Sequence, residues 1–111
     1  MNVGDYVRTR EYIRKIRKIE RDYIYCDIGV FTENEIIKTS PQIIDLIEVG
    51  DFITYKQGNF YWNVFEQVSG RYNRENEMTD LIVDNKPLST VEILTVITHE
   101  QMEAMQYRVE E

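Results

Sequence analysis

Two side chains of this sequence, Cys26 and His99, have the chemistry of nucleophiles and soft metal ligands, and each type occurs once. A structural zinc site needs about four nitrogen or sulfur ligands, so these two exclude one. A Cys–His catalytic pair needs a stabilised thiolate, and Cys26 instead precedes Asp27, whose negative charge disfavours that anion. No phosphate-binding, metalloprotease or nucleophile-elbow motif is present. We therefore predict no catalytic residue, no metal and no cofactor, and a non-enzymatic protein.

Charge is the second feature that limits function. The 111 residues carry 13 basic and 20 acidic side chains, and the formal net charge is −7. An acidic balance argues against direct nucleic-acid binding, which depends on neutralising phosphates. The basic side chains concentrate in residues 1–21, where we identify a candidate basic strip of Arg14, Lys15, Arg17 and Lys18. It either forms the solvent-facing side of a strand pair or contacts an acidic partner or a phosphate group.

Aromatic and acidic side chains in the second half suggest a partner-binding surface. In the block Phe60–Phe65, strict alternation along a strand lets either Phe60, Trp62 and Val64 or Tyr61 and Phe65 face inward. The remaining set is the best interface candidate, because Trp and Tyr dominate binding hot spots. Exposed carboxylates could also occupy a basic groove in place of phosphates. The candidate partner-binding residues are Tyr61, Trp62, Phe65, Tyr72, Glu75, Glu77, Asp80 and Asp84.

An internal repeat predicts how these side chains are positioned. Val3-Gly4-Asp5-Tyr6-Val7 recurs as Val49-Gly50-Asp51-Phe52-Ile53, and Gly-Asp favours a tight turn leading into a strand. We predict a mainly β (α+β) fold of two small SH3-like or barrel-type β units packed as one compact domain. The first unit spans 1–48 with a short helix near 41–47. The second spans 49–111 with a loop near 69–77, where about 13 extra residues are accommodated, and a short helix near 99–106.

Most apolar runs predict strands, and one segment is ambiguous. Residues 22–28, 59–68, 78–83 and 91–97 are rich in β-branched and aromatic side chains. In residues 12–20, Ile13, Ile16 and Ile19 recur every third position, which fits neither strict alternation nor a full helical stripe. We predict a bulged strand there, with a helix as the alternative.

The chain resembles small uncharacterised proteins encoded by phages and prophages of Gram-positive bacteria. The resemblance rests on Ser40-Pro41-Gln42-Ile43-Ile44-Asp45-Leu46-Ile47-Glu48-Val49-Gly50-Asp51, on the opening 3–9 and on the closing 96–103. These proteins commonly carry a Ser-Pro-x-Ile-Ile-Asp-Leu-Ile-Glu-Val-Gly-Asp motif, followed by a Tyr where this chain has Phe52. The resemblance implies a phage or prophage origin and supplies no catalytic residues.

These observations lead to a functional expectation with alternatives. We expect an interaction protein that binds and modulates or inhibits a host protein with a basic surface, such as a bacterial defence nuclease, in the manner of an anti-CRISPR protein. The alternatives are a binding module for a small anionic ligand such as a signalling nucleotide, a structural phage protein, and a homodimer. The lone cysteine and the lack of any apolar run near ~18 residues predict the reducing cytoplasm of a bacterial host and no membrane partner.

Overall fold

The chain folds into two five-stranded antiparallel sheets. We describe it from a computed structural model that covers residues 1–73, 79–88 and 91–105. The strands are β1 Tyr6–Arg8, β2 Ile13–Glu20, β3 Tyr23–Cys26, β4 Val30–Thr32, β5 Lys38–Ser40, β6 Phe52–Gln57, β7 Phe60–Asn73, β8 Thr79–Val83, β9 Lys86–Leu88 and β10 Glu92–Ile97. The prediction of a mainly β fold is confirmed.

Three short helices accompany the sheets. A 3-10 helix spans Glu33–Glu35, a second 3-10 helix, which we call the linker helix, spans Ile43–Leu46, and α1 spans His99–Met105. The linker helix falls where a short helix was predicted near 41–47. Helix α1 matches the second predicted helix except for position 106, which lies outside the described residues.

The two sheets have the same strand order. The first runs β4-β3-β2-β1-β5 and the second β10-β6-β7-β8-β9, so the fifth strand of each sheet pairs with its first. Every pairing is antiparallel. Each sheet therefore repeats one local folding pattern, built once from residues 6–40 and once from residues 52–97.

The turns before β1 and β6 are equivalent, as the repeated Val-Gly-Asp predicted. Gly4 and Gly50 have φ angles of +94° and +100°, which glycine adopts without steric cost. Gly4 N–H donates to Ile16 O over 2.9 Å, and Gly50 N–H donates to Val68 O over 2.8 Å. The same two glycine turns therefore fasten the first strand of each unit to the second.

Both aspartates that follow these glycines also close the turn with their side chains. Asp5 Oδ2 accepts a hydrogen bond from Asn2 N–H over 3.0 Å, and Asp51 Oδ2 accepts one from Glu48 N–H over 2.8 Å. A carboxylate that binds an amide three residues earlier stabilises a tight turn. The repeat in the sequence therefore marks one structural motif used twice.

The extra residues of the second unit do not all lie where the sequence predicted them. Gly50 follows Gly4 by 46 positions, and Val68 follows its counterpart Ile16 by 52. Ile16 pairs with Cys26, and Val68 pairs with Val83. Val83 therefore follows its counterpart Cys26 by 57 positions. The second unit thus carries six extra residues in the β6–β7 hairpin and five more in the β7–β8 hairpin. The expected single insertion of about 13 residues is wrong.

The predicted loop near 69–77 is also wrong in its first part. Residues 69–73 belong to β7, which runs for 14 residues and pairs with β8. Polar side chains do not interrupt a strand whose outer face is solvated, because the backbone ladder is independent of side-chain polarity. Residues 74–77 lie outside the described residues.

The ambiguous segment around Ile16 forms a strand with a bulge, as predicted. The pairing of β2 with β3 shifts register between Ile16 and Lys18, so Arg17 is the extra residue. A bulge reverses the side-chain alternation from that point on. It places Ile16 and Ile19 on the same face, whereas Ile13 and Ile16 belong to separate core clusters.

The main core lies between the two units. Nine buried apolar side chains form it, and three of them come from residues before the second unit: Ile13, Leu46 and Ile47. A smaller cluster of Val7, Ile16 and Ile24 lies within the first unit. Leu46 and Ile47 therefore join the main core between the units and not the smaller cluster of the first unit, and the linker helix contacts β1 and β5 as well as β8.

Candidate interaction surface

The tip of the β6–β7 hairpin forms an arm, which we define as residues 55–65 and call the aromatic arm. Gly58 and Asn59 make its two-residue turn, and Gly58 has a φ angle of +59°, as the first central residue of a hairpin turn often requires. Tyr55 pairs with Trp62 near the base of the arm, and Gln57 pairs with Phe60 at its end. Most of the six residues by which this hairpin exceeds the β1–β2 hairpin lie in this arm.

Both faces of β7 are solvent-exposed within the aromatic arm. The exposed fractions are 74% for Phe60, 59% for Tyr61, 46% for Trp62, 77% for Val64 and 40% for Phe65. The expectation that one alternating set packs inside is wrong. β8 pairs with β7 only from Val68 onward, so within the described residues 60–67 have a strand neighbour on one side only.

Contacts at its base hold the aromatic arm in place. The ring of Trp62 lies 5.8 Å, centroid to centroid, from that of Tyr55, which is buried in the main core. Lys56 Nζ lies 5.1 Å from the centre of the Tyr61 ring, a cation–π contact. Burial and the neighbouring Glu66 carboxylate raise the pKa of the Tyr55 hydroxyl. The arm therefore continues from the core through Tyr55, whereas Trp62 is 46% exposed and lies outside the core cluster.

The acidic candidates do not form one exposed surface. Asp80 is buried, with 6% exposed, because β8 lies between β7 and β9, and its predicted place on a carboxylate surface is wrong. Asp84 is exposed in the turn after β8, and Tyr72 is 56% exposed on β7. Glu75 and Glu77 lie outside the described residues.

The candidate basic strip is split between environments. Arg14 lies on the opposite face of β2 from Lys15, and its guanidinium stacks 4.3 Å from the centre of the Tyr12 ring. Arg17 is exposed at the bulge. Lys18 Nζ forms an ion pair with Glu20 over 2.8 Å, and hydrogen bonding to this carboxylate, with its charge, raises the pKa of the lysine. These four side chains therefore do not present one continuous positive strip.

A buried ion-pair network joins the two units. Arg8 on β1 is 2% exposed, and its Nη1 donates to the Asp51 carboxylate over 2.6 Å. The second nitrogen, Nη2, contacts Glu48 Oε2 at 3.2 Å and Glu100 Oε2 at 3.1 Å. Burial opposes the charge of Arg8, but these carboxylates outweigh it and raise the pKa of the guanidinium.

Asp51, at the centre of this network, is fully buried. Burial alone would raise the pKa of the carboxyl, but hydrogen bonds from Arg8, from the backbone N–H of Glu48 and from His99 lower it below its usual range. Asp51 Oδ1 lies 2.9 Å from both the backbone N and the Nδ1 of His99. The carboxylate therefore ties β1, the turn before β6 and the start of α1 together.

Among the described residues, Glu48, His99 and Glu100 could together hold a metal ion, since their ligand atoms lie within 4.8 Å of one another. Arg8 binds one carboxylate oxygen of Glu48 and one of Glu100, so a positive charge already lies beside both carboxylates. We interpret this group as an ion-pair network that locks the units together.

No motif or spacing in the sequence points directly to this ion-pair network. Arg8 lies in a stretch of basic residues where a solvated side chain is the usual expectation, and His99 alone is typical of a surface histidine. The available signal was Asp51, because the repeated Gly-Asp turn fixes where its carboxylate points.

Cys26 packs against the small core cluster of the first unit. Burial, followed by the nearby charge of Asp27, raises the pKa of this thiol. A thiol that stays protonated is a poor nucleophile. Its environment supports the interpretation of Cys26 as a packed side chain.

A comparison of the chain with protein-family models, with curated proteins and with solved structures finds no match in any of the three. In the part of the chain that the structure describes, no helix has the length and apolarity needed to cross a membrane.

Proposed function

We propose that this chain is a non-enzymatic interaction protein that binds another protein through the aromatic arm. The observation that carries the proposal is the exposure of five large apolar side chains within six consecutive residues, Phe60 to Phe65. Contiguous exposed apolar surface on a small protein marks an interaction site.

The repeated architecture supports the arm as a functional addition. The β1–β2 hairpin closes over four residues between Arg8 and Ile13, whereas its counterpart in the second unit extends into the arm. A fold that is already complete without this extension does not need it for stability. The aromatic composition suits a hot spot, where Trp and Tyr supply large contact areas.

The charged network supports a structural role rather than catalysis. Arg8 and Asp51 are both almost fully buried and bind each other, so neither is presented to a substrate. His99 and Glu100 complete this network at its solvent-facing edge. A binding protein with one locked domain accounts for these contacts without any reaction.

The class of partner follows from charge and from the resemblance. The chain has a net charge of −7, which favours association with a basic surface. The resemblance to phage and prophage proteins supports a bacterial host protein, such as a defence nuclease, as this partner. Under this proposal the aromatic arm supplies affinity and the overall charge speeds association.

Site-specific crosslinking tests the proposal. A photoreactive phenylalanine analogue placed at Tyr61 should crosslink one dominant protein in a Gram-positive host lysate, identified by mass spectrometry. The matched control places the same group at Ile28, which is 66% exposed on the first unit. Excess unlabelled protein should suppress the crosslink, and unlabelled Phe60→Ser/Val64→Ser protein should not.

The outcomes separate the alternatives. Equal crosslinking from Tyr61 and Ile28, or none from either, would contradict the proposal. A crosslink to a second copy of the chain would favour the homodimer. Binding of the purified protein to lipid vesicles that is lost in the Phe60→Ser/Val64→Ser variant would identify the arm as a membrane-surface element instead.

A further inference from the structure

The first unit has an open groove where the second unit is filled. The groove has a volume of about 410 Å³, and Thr9, Tyr12, Phe31 and Ile37 line its apolar part. Ile37 is 66% exposed, whereas Tyr12 and Phe31 are half-buried. The groove lies on the first unit, apart from the aromatic arm.

The strand register relates this groove to the interior of the second unit. Phe31 pairs with Ile24, and its counterpart Leu88 pairs with Leu81, the counterpart of Ile24. Ile24 and Leu81 are both buried in their clusters. Leu88, unlike the half-buried Phe31, is only 7% exposed. The two units therefore have equivalent interior positions, but the position of Phe31 is more exposed than that of Leu88.

The linker helix covers the interior of the second unit. Leu46 and Ile47 are 1% and 0% exposed and belong to the same core cluster as Leu88. Arg71 fixes the backbone of this segment, since its Nη1 donates to Asp45 O over 3.2 Å and to Ile47 O over 2.6 Å. The second unit therefore shows what kind of segment can cover such a groove. It is a single helical turn that ends in two adjacent branched aliphatic side chains.

The first unit keeps a donor without a partner beside its groove. Arg14 stacks on Tyr12, and its Nε is buried with no hydrogen-bond partner among the described residues. A buried unpaired donor is costly, so an acceptor at this position stabilises the protein. The Nη1 of Arg14 already donates to Ile13 O over 3.0 Å, so this side chain supports Tyr12 at the side of the groove.

The groove is also continuous with the interface between the units. Arg10 and Glu11 line both the groove and the cleft against α1, which Glu100, Glu103 and Ala104 complete. Glu11 O accepts a hydrogen bond from the Thr98 hydroxyl at this interface. A segment bound in the groove therefore extends a contact surface that the protein already uses.

We propose that this groove binds a short helical turn of a partner protein with adjacent Leu and Ile residues, in the way that the second unit holds the linker helix. The two aliphatic side chains fill the space between Phe31 and Ile37. This site is separate from the aromatic arm and does not depend on the function proposed for it.

A peptide of the chain's own linker is the natural probe. A synthetic peptide with the sequence of residues 40–48, Ser-Pro-Gln-Ile-Ile-Asp-Leu-Ile-Glu, is titrated into the isotope-labelled full chain and followed by amide NMR. We expect saturable shifts at Thr9, Tyr12, Phe31 and Ile37. A peptide with Ser at the positions of Leu46 and Ile47 should bind about tenfold more weakly or not at all, because it loses the apolar contacts.

Variants of the groove complete the test. Ile37→Ser changes an exposed side chain, should leave the amide spectrum dispersed and should weaken the peptide about tenfold. Phe60→Ser in the arm should leave peptide binding unchanged. The absence of shifts at millimolar peptide would overturn the proposal. So would shifts confined to Leu81 and Leu88, which indicate displacement of the linker helix, or groove shifts that depend on protein concentration without peptide.

Discussion

Arg8 contacts three carboxylates. Glu48 and Asp51 lie just before β6, and Glu100 lies in α1. The 2.6 Å contact with Asp51 joins two side chains that are at most 2% exposed. Paired burial of this kind does not guarantee a net gain in stability, but removal of one partner leaves a charge in the interior. The pair therefore fixes how the units dock.

Substitution of Arg8 tests this role. Arg8→Met should lower the free energy of unfolding by about 3–5 kcal/mol, because Asp51 keeps its charge without its main partner. The measurement is urea unfolding followed by circular dichroism. Lys18→Met, which breaks the exposed pair with Glu20, is the matched control and should leave the free energy of unfolding nearly unchanged. Equal effects of the two substitutions on the free energy of unfolding would show that Arg8 does not hold the two units together.

The lowered pKa of Asp51 predicts a pH dependence of stability. A carboxyl whose pKa is lower in the folded state stabilises the protein above its unfolded pKa of about 3.9, and this contribution disappears as pH falls through the folded pKa. The free energy of unfolding should therefore fall from about pH 5 downward.

Asp5→Asn and Asp51→Asn isolate this contribution, because the two aspartates occupy equivalent turns. Asp51→Asn should flatten the acid dependence of the wild type, and Asp5→Asn is the matched turn variant with which it is compared. Carboxyl NMR titration of Asp51 in the wild type gives the same information without a variant. An Asp51 that titrates at or above its ordinary value would contradict the prediction.

For single residues, the sequence predicted the burial of apolar side chains better than the burial of charged ones. The packed state of Cys26 follows from its strand, since alternation places one face of a strand inward. Arg8 and Asp80 did not follow, because burial of a charged side chain depends on partners distant in sequence. Neither periodicity nor local composition reports such partners.

At the scale of elements, most strands follow from β-branched and aromatic runs. The spacing of Ile13, Ile16 and Ile19 led us to predict a bulge, and the bulge at Arg17 accounts only for the step from Ile16 to Ile19. The aromatic block was harder to predict. Its composition indicates a strand, but exposure depends on whether a neighbouring strand reaches that far, and this is a property of the whole sheet.

Shortening the aromatic arm tests its independence from the fold. Deletion of Lys56, Gln57, Phe60 and Tyr61 retains the Gly58-Asn59 turn directly after Tyr55 and before Trp62. Since exposed side chains contribute little to stability, the free energy of unfolding should change by less than about 1 kcal/mol. Binding to a partner identified by crosslinking should be lost.

A deletion of the same kind in the first unit provides the comparison. Removal of Arg10 and Glu11 from the β1–β2 hairpin should disturb the interface with α1, where Glu11 O accepts a bond from Thr98. We expect it to lower the melting temperature while partner binding through the arm persists. The opposite pattern, with the arm deletion destabilising and the other neutral, would place the arm in the structural core.

For the molecule as a whole, the main core crosses from one unit to the other. Ile13, Leu46 and Ile47 come from the first 47 residues, yet they pack with Ile53, Val68 and Leu81. The repeated Gly-Asp motif predicted two similar units and a short helix in each. It could not predict that Leu46 and Ile47 pack with residues of the second unit. The same apolar pattern in this segment would fit packing against either unit.

The shared core predicts unfolding as one unit. Ile13→Ala should cost about 2–5 kcal/mol and lower amide protection in both sheets together, since Ile13 is 8% exposed in the common cluster. Ile19→Ala on the same strand, where the side chain is 39% exposed, should cost much less. Hydrogen exchange by mass spectrometry resolves the two sheets. Loss of protection confined to the first sheet would show that the units unfold separately.

The position of Trp62 has an optical consequence. It is the chain's single tryptophan, it lies on the arm with nearly half of its surface in water, and it contacts the buried Tyr55. Its emission should therefore lie toward the red in the free protein and move toward the blue when a partner covers the indole. Intrinsic fluorescence thus provides a label-free binding signal at the surface where we expect the partner, and Tyr61→Ser supplies a variant that weakens binding without removing the reporter.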